Sequence, residues 1–268
     1  MSHPRVLRRA YTLMRRRHGH LNWWPGETAF EIAVGAILTQ NTAWANVEKA
    51  IANLKVAGVL QPARMFNLPA RELARLIRPA GYFNVKARRL RNFLSVLVGE
   101  FSASLTRLLT GTTADVRERL LAINGIGRET ADSILLYAGT HHSFVIDAYT
   151  RRIFERHGWW REGRKARRPT SSARCLAPTS KGNTPETYES LKSLCENSLG
   201  HRPVAARLDF WRDYHAQLVM IGKNFCRPRA PRCAECPLRC LLPKVARADD
   251  PRVSRKLGAG HFQRPIPG

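Results

Sequence analysis

The sequence predicts an all-α fold, on three observations. Apolar residues recur at three- and four-residue intervals through residues 28–110, the spacing of amphipathic helices. The strand-like stretch Ser143–Ile146 is four residues long, too short to build a sheet. LLAINGIGRETADSILLYA, at Leu120–Ala138, sets two helical patterns on either side of a glycine-bearing turn.

Taken in order, TAFEIAVGAILTQNT and ANVEKAIANLKVAG read as two helices, with Gly58 where the second stops. PARELARLIRPAG is a short amphipathic helix ended by Pro79 and Gly81. VKARRLRNFLSVLVGEF turns Val85, Leu90, Phe93, Leu94 and Leu97 inward and its basic residues outward. In the hairpin, one helix ends near Ala122, Asn124–Gly127 makes a tight turn, and the next helix starts at about Arg128. Residues 161–185 hold seven Lys/Arg, one acid and three prolines with almost no apolar periodicity, which predicts a disordered basic insertion. Helical pattern resumes at Tyr188 and runs to Gly222 with a break near Gly200–Pro203. Residues 245–268 read as a loose basic tail.

A chain of 268 residues has room for one large domain or two small ones, and 44% hydrophobic residues make it globular. Its 45 Lys+Arg against 20 Asp+Glu give a net charge of +25. That surplus repels itself unless a polyanion neutralises it, so nucleic acid leads the expected partners. The apolar run around Ala33–Leu38 falls far short of the ~20 residues of a spanning helix, so no membrane role is expected. The Arg-rich, acid-free start, MSHPRVLRRAYTLMRRRHGH, lacks the apolar centre of a secretory signal. It reads as a DNA-facing arm, with an organelle transit peptide as the alternative. The expected setting is intracellular, cytoplasm or nucleoid, where thiols stay reduced.

Four of the six cysteines fall within fifteen residues, Cys226, Cys233, Cys236 and Cys240, spaced C-x6-C-x2-C-x3-C. Thiolates this close repel unless a metal takes up their charge. An all-thiolate set without a nearby His favours a [4Fe–4S] cluster, and a structural zinc is the alternative. Arg227, Arg229 and Arg232 in the same loop offer phosphate contacts. Cys175 and Cys195 fall outside the spacing and read as a loop residue and a core thiol.

Gly125 and Gly127 suit a turn whose backbone N–H groups must approach something closely, and amides at a helix start bind phosphate without reading bases. An ordinary helix–turn–helix corner would look the same. Asp147, in FVIDAYTRRIF, follows a buried-type run and precedes a new helix. It is either a plain N-cap or a carboxylate placed to stabilise an oxocarbenium-like sugar and orient an attacking water.

The hairpin, the acid and the four-cysteine loop, in that order, resemble the endonuclease III superfamily of helix–hairpin–helix DNA glycosylases, over roughly residues 20–160 and 188–242. The resemblance implies a six-helix domain at 29–140 and a helical iron–sulfur domain from 1–28 and 141–244. It also implies that double-stranded DNA binds across a cleft and that the enzyme is a monomer. It makes Asp147 the catalytic aspartate and Gln40 the side chain that fills the gap left by the flipped base. Thr42, Lys86, Gly125, Gly127, Arg128 and Thr130 become DNA contacts. Bifunctional members carry a Schiff-base Lys where this chain has Glu129, and a carboxylate forms no imine, so strong lyase chemistry is not expected. The adenine-specific members need a Glu where this chain has Ala36.

FEIAVGAILTQNT, IRPAGYFNVKARRL and GIGRETADSILLYA are most similar to the 3-methyladenine DNA glycosylase III group. There Trp23, Trp24, Pro25 and Trp44, with Glu129, would line the base pocket. An indole face suits a methylated purine, which carries positive charge. Core packing of the tryptophans is the alternative. The last cysteine spacing is x3 where the superfamily usually has x5.

Overall fold

The computed structural model describes residues 3–23, 26–160 and 184–243. Trp24, Pro25, Cys175, nearly all of the basic insertion and the tail lie outside the described residues. Among the described residues the chain is helical and contains no strand, as the periodicity requires. No helix among them is long and apolar enough to cross a membrane.

The chain divides into two compact units. The first comprises Asn22–Val145 and Gly200–Asp213. Its centre is α2 (Ala29–Leu38), in which every residue but Ala29 and Ala36 is buried. The helix starts where Thr28 accepts the Glu31 N–H, and Glu31 reaches back to the Glu27 N–H, a close variant of the capping box. Around it pack α3 (Trp44–Val56), α4 (Pro62–Asn67), α5 (Ala70–Leu76) and α6 (Phe83–Gly99). α6 buries Leu90, Phe93, Leu94 and Leu97 as expected, and Lys86 with them.

Past the single turn α7 (Leu105–Leu108), α8 (Thr113–Leu121) and α9 (Arg128–Ser133) form the two arms of the hairpin. α9 continues into a π-helical turn, Ile134–Ala138, whose apolar side chains fill the core. Asp132, fully buried on α9, binds Arg117 of α8 through both oxygens, at 2.8 and 3.1 Å, and takes the Ser143 hydroxyl at 2.6 Å. The hairpin arms are thereby braced by a buried ion pair with its lone pairs satisfied.

The second unit comprises Met1–Leu21, Ile146–Leu199 and Tyr214–Gly268. Its described helices are α1 (His3–His18), α10 (Ala148–His157), α11 (Pro185–Leu199) and the second half of α12 (Val204–Asn224). The expected arm at the start is corrected here. It is an amphipathic helix that buries Leu7, Ala10 and Met14 and packs on α11. Tyr11 stacks on Tyr214, ring centroids 5.4 Å apart, and the Tyr214 hydroxyl donates to the Leu7 carbonyl. The arginines between these apolar positions hide a three- and four-residue period. The break after Leu199 falls where His201, Arg202 and Pro203 interrupt the pattern.

Candidate functional site

The hairpin turn is shaped by two different glycines. Gly125 has φ +98°, and a Cβ there would collide with the Arg89 side chain, so both its backbone and its space exclude other residues. Gly127 caps α9 in ordinary extended backbone, and a Cβ there would meet nothing within 4 Å. The turn therefore brings the start of α9 to the surface beside a residue without a side chain. Arg128 is half-buried and Glu129 exposed in the same turn.

Gln40 is tied to this turn. Its Nε2 donates to the Gly125 carbonyl at 3.0 Å and to the Thr130 hydroxyl at 2.9 Å, and its Oε1 takes the Arg89 guanidinium. Gln40, Gly125 and Thr130 thus form one constellation, and Arg89, which the sequence does not single out, completes it. Thr42 lies just beyond, half-buried, its N–H bonded to the Thr39 carbonyl. Lys86 does not join them. It is 1% exposed and its Nζ donates to the Leu38 carbonyl at 2.8 Å and the Ala80 carbonyl at 2.7 Å. Burial, with help from the Arg89 charge, lowers its pKa to about 8. The expected DNA contact at Lys86 is therefore corrected: a buried ammonium fixed by two carbonyls ties α2 to α6. Nearby Tyr82 is an exposed large side chain of that segment, 74% exposed, with φ +46°.

Trp44 lies over Gly35, where a Cβ would sit 3.4 Å from the ring, and its Nε1 donates to Glu48 at 2.9 Å. The rim of the indole thus packs against the core, as core packing of the tryptophan would require. Trp23 is half-buried.

Asp147 caps α10, its Oδ1 accepting the Thr150 N–H at 2.7 Å. Its Oδ2 lies 3.5 Å from Nε2 of His215 on α12. Burial alone would raise the carboxyl, but the contacts to His215 and Thr150 outweigh it and hold the group below its usual value. The carboxylate stays ionised while sheltered from water, the state that electrostatic stabilisation of a sugar cation needs. Within the same unit, Gly222 of α12 touches Tyr149 so closely that a Cβ would overlap the ring.

The described cysteines are all free thiols. Cys195 is a core thiol, raised far above its usual range by burial. Cys226, Cys233 and Cys236 line one pocket with Arg156 and His157, while Cys240 is exposed. Burial pushes the Cys236 thiol up to about 12, and the charges of Cys226, Cys233 and Cys240 add to it. Arg156 donates to the Cys226 sulfur at 3.0 Å, and Arg152 to the Cys226 carbonyl at 2.6 Å. The Arg156 Nε beside that pocket is buried with no hydrogen-bond partner. Among the described residues, no group of three or more His, Cys, Asp or Glu lies close enough to hold one metal ion. A single zinc draws its sulfurs to about 2.3 Å, whereas a cubane spreads its ligands over four irons. The four thiols suit either group, and His157, whose Nε2 is buried beside them without a hydrogen-bond partner, lines the same pocket.

The profile of the HhH-GPD superfamily base excision DNA repair proteins matches residues 34–176. A protein of Methanocaldococcus jannaschii, provisionally named a DNA repair glycosylase, is 40% identical over 239 residues, 88% of this chain and 96% of its own length. Endonuclease III of Thermotoga maritima is 27% identical over 210 residues, 78% of this chain and 80% of its own. Among solved structures, the H. pylori 3-methyladenine DNA glycosylase bound to 1,N6-ethenoadenine superposes with a TM-score of 0.64 at 25% identity, covering 83% of this chain and 98% of that one. An endonuclease III–DNA complex superposes with a TM-score of 0.68 at 19% identity, covering 92% and 98%, which shows the shared fold. By its matched profile and the 40%-identical relative that it covers almost end to end, the chain belongs to the HhH-GPD superfamily of base excision DNA repair proteins.

Proposed function

We propose that this chain is a monofunctional DNA N-glycosylase that flips an alkylated purine out of duplex DNA and excises it by hydrolysis, acting as an intracellular monomer. The observation that carries the reading is Asp147, an ionised, nearly buried carboxylate at the start of the helix that follows the hairpin. As the C1′–N bond breaks, the base leaves with the bonding electrons. A base methylated on its ring leaves neutral, so no strong general acid is required. Asp147 stabilises the sugar cation that remains, orients the water that bonds to C1′ and accepts the proton which that water loses. The hairpin amides hold a phosphate. Gln40 would exchange its bonds to Gly125 and Thr130 for a place in the emptied stack, and Trp23, Trp24 and Pro25, with Trp44, would receive the base.

The lack of lyase chemistry rests on the described amines. Glu129 occupies the position of the Schiff-base Lys, and Lys86, whose pKa of about 8 would otherwise make it an attractive nucleophile, is buried between two carbonyls. The alkylpurine preference is supported by the 25%-identical glycosylase structure bound to a modified adenine. Cys226, Cys233, Cys236 and Cys240 would hold a [4Fe–4S] cluster, which supplies a covalent tie for a loop with little apolar core of its own.

Asp147→Asn keeps the helix cap and removes the charge. It is expected to lower single-turnover excision of 3-methyladenine or 7-methylguanine by about 100-fold or more while duplex affinity stays within a few-fold. Excision by the variant at the native rate would overturn the reading.

A further inference from the structure

A capping Asp needs one oxygen for its helix. At Asp147 that oxygen is Oδ1, engaged by Thr150, yet Oδ2 is also provided for, with His215 Nε2 at 3.5 Å. The two side chains are 11% and 8% exposed, so an imidazole and a carboxylate have both been drawn out of water to face each other. A cap does not require that desolvation, which is costly for both groups.

The facing is enforced by the backbone. His215 lies on the half of α12 that belongs to the same unit as α10. The two helices are locked where the Tyr149 ring fills the space of a missing Cβ at Gly222, and where Arg152 of α10 donates to the Gly222 carbonyl at 3.3 Å. Both ties lie within five residues of Asp147, so α12 cannot shift without moving His215 off the carboxylate.

We infer that His215 is a positioning residue for Asp147, its Nε2–H directing the second carboxylate oxygen while Thr150 directs the first. The inference rests on the glycosylase reading above and adds no chemical step to it. With the Thr150 N–H on one oxygen and the His215 ring facing the other at 3.5 Å, the carboxylate is flanked on both sides before the cation forms. At 3.5 Å the contact is longer than a full hydrogen bond. Such pairs are often long in ligand-free sites and tighten when the reacting group is bound.

The test compares His215→Leu, which removes the donor, with His215→Gln, whose amide carries one at a similar reach. Single-turnover excision and affinity for a duplex with an abasic analogue are measured on the full chain, with thermal unfolding as the fold control. His215→Leu is expected to lose about 10-fold or more in the single-turnover rate, with affinity within about 3-fold. His215→Gln is expected to recover most of the rate. If His215→Leu does not fold, His215→Asn, whose amide falls short of the carboxylate, replaces it in the comparison. The inference is overturned by a native rate in the donor-less variant, by a loss that His215→Gln shares in full, or by a loss confined to affinity. Asp147→Asn, run alongside, separates the two layers. Its activity would remove the glycosylase reading, whereas its inactivity beside a fully active His215→Leu would remove the role of His215 alone.

Discussion

Glu129 stands exposed in the first turn of α9, one residue past Arg128, and the lyase question turns on this position. The native protein is expected to leave no borohydride-trapped adduct with abasic DNA, because the Glu129 carboxylate forms no imine and Lys86 is buried between two carbonyls. Glu129→Lys should gain trapping. Trapping of the native chain would mean that another amine attacks C1′. Lys86 is tested differently, through stability. It titrates near 8 in the folded protein against 10.5 for a free lysine. Between those values the unfolded chain binds more protons, so the native fold gains stability as pH rises through the window. Relative to Lys86→Met, the gain should amount to up to about 3 kcal/mol in denaturant unfolding at pH 8 and 10.5. A constant difference between the two proteins would contradict the assignment. Asp147 was legible in the sequence because a cap before a helix is a local signal. Arg89 and His215 were not, since each meets its partner only through tertiary packing and no spacing rule reaches that far.

At the scale of elements, the close approach of Gly222 to the Tyr149 ring locks α12 to α10. Gly222→Ala would drive a methyl into the Tyr149 ring and is expected to cost about 1–3 kcal/mol in thermal or denaturant unfolding. The same change at Gly127, where a Cβ meets nothing, should leave stability nearly unchanged. A loss of DNA affinity in Gly127→Ala at native stability would show that the open space serves a ligand, and unchanged affinity would show that it does not. The long helices were readable because their apolar residues keep a helical period over three turns or more, as in α3 and α6. α4 spans six residues, and α1 hides Leu7, Ala10 and Met14 among arginines that composition alone assigns to a solvated arm. The π-helical turn leaves no sequence signature, because one inserted residue does not disturb the apolar run Ile134–Leu136.

For the whole molecule, the net charge of +25 sets the way DNA is met. Six phosphate contacts would give a slope of roughly −5 in log affinity against log salt. A flat response would turn those charges away from DNA. The purified chain is expected to carry about four irons with matching sulfide, lost in Cys226→Ser together with part of the thermal stability. One zinc in place of iron would reverse the choice between the two groups.

The proposed enzyme excises the base without cleaving the strand. This is tested most directly by incubating the protein with duplexes carrying 3-methyladenine, 7-methylguanine, thymine glycol or an abasic site, and scoring breaks before and after alkali. The account predicts breaks at the methylated purines only after alkali, and none at thymine glycol or the abasic site without it. Breaks at thymine glycol or the abasic site in the absence of alkali would contradict both the substrate class and the monofunctional chemistry.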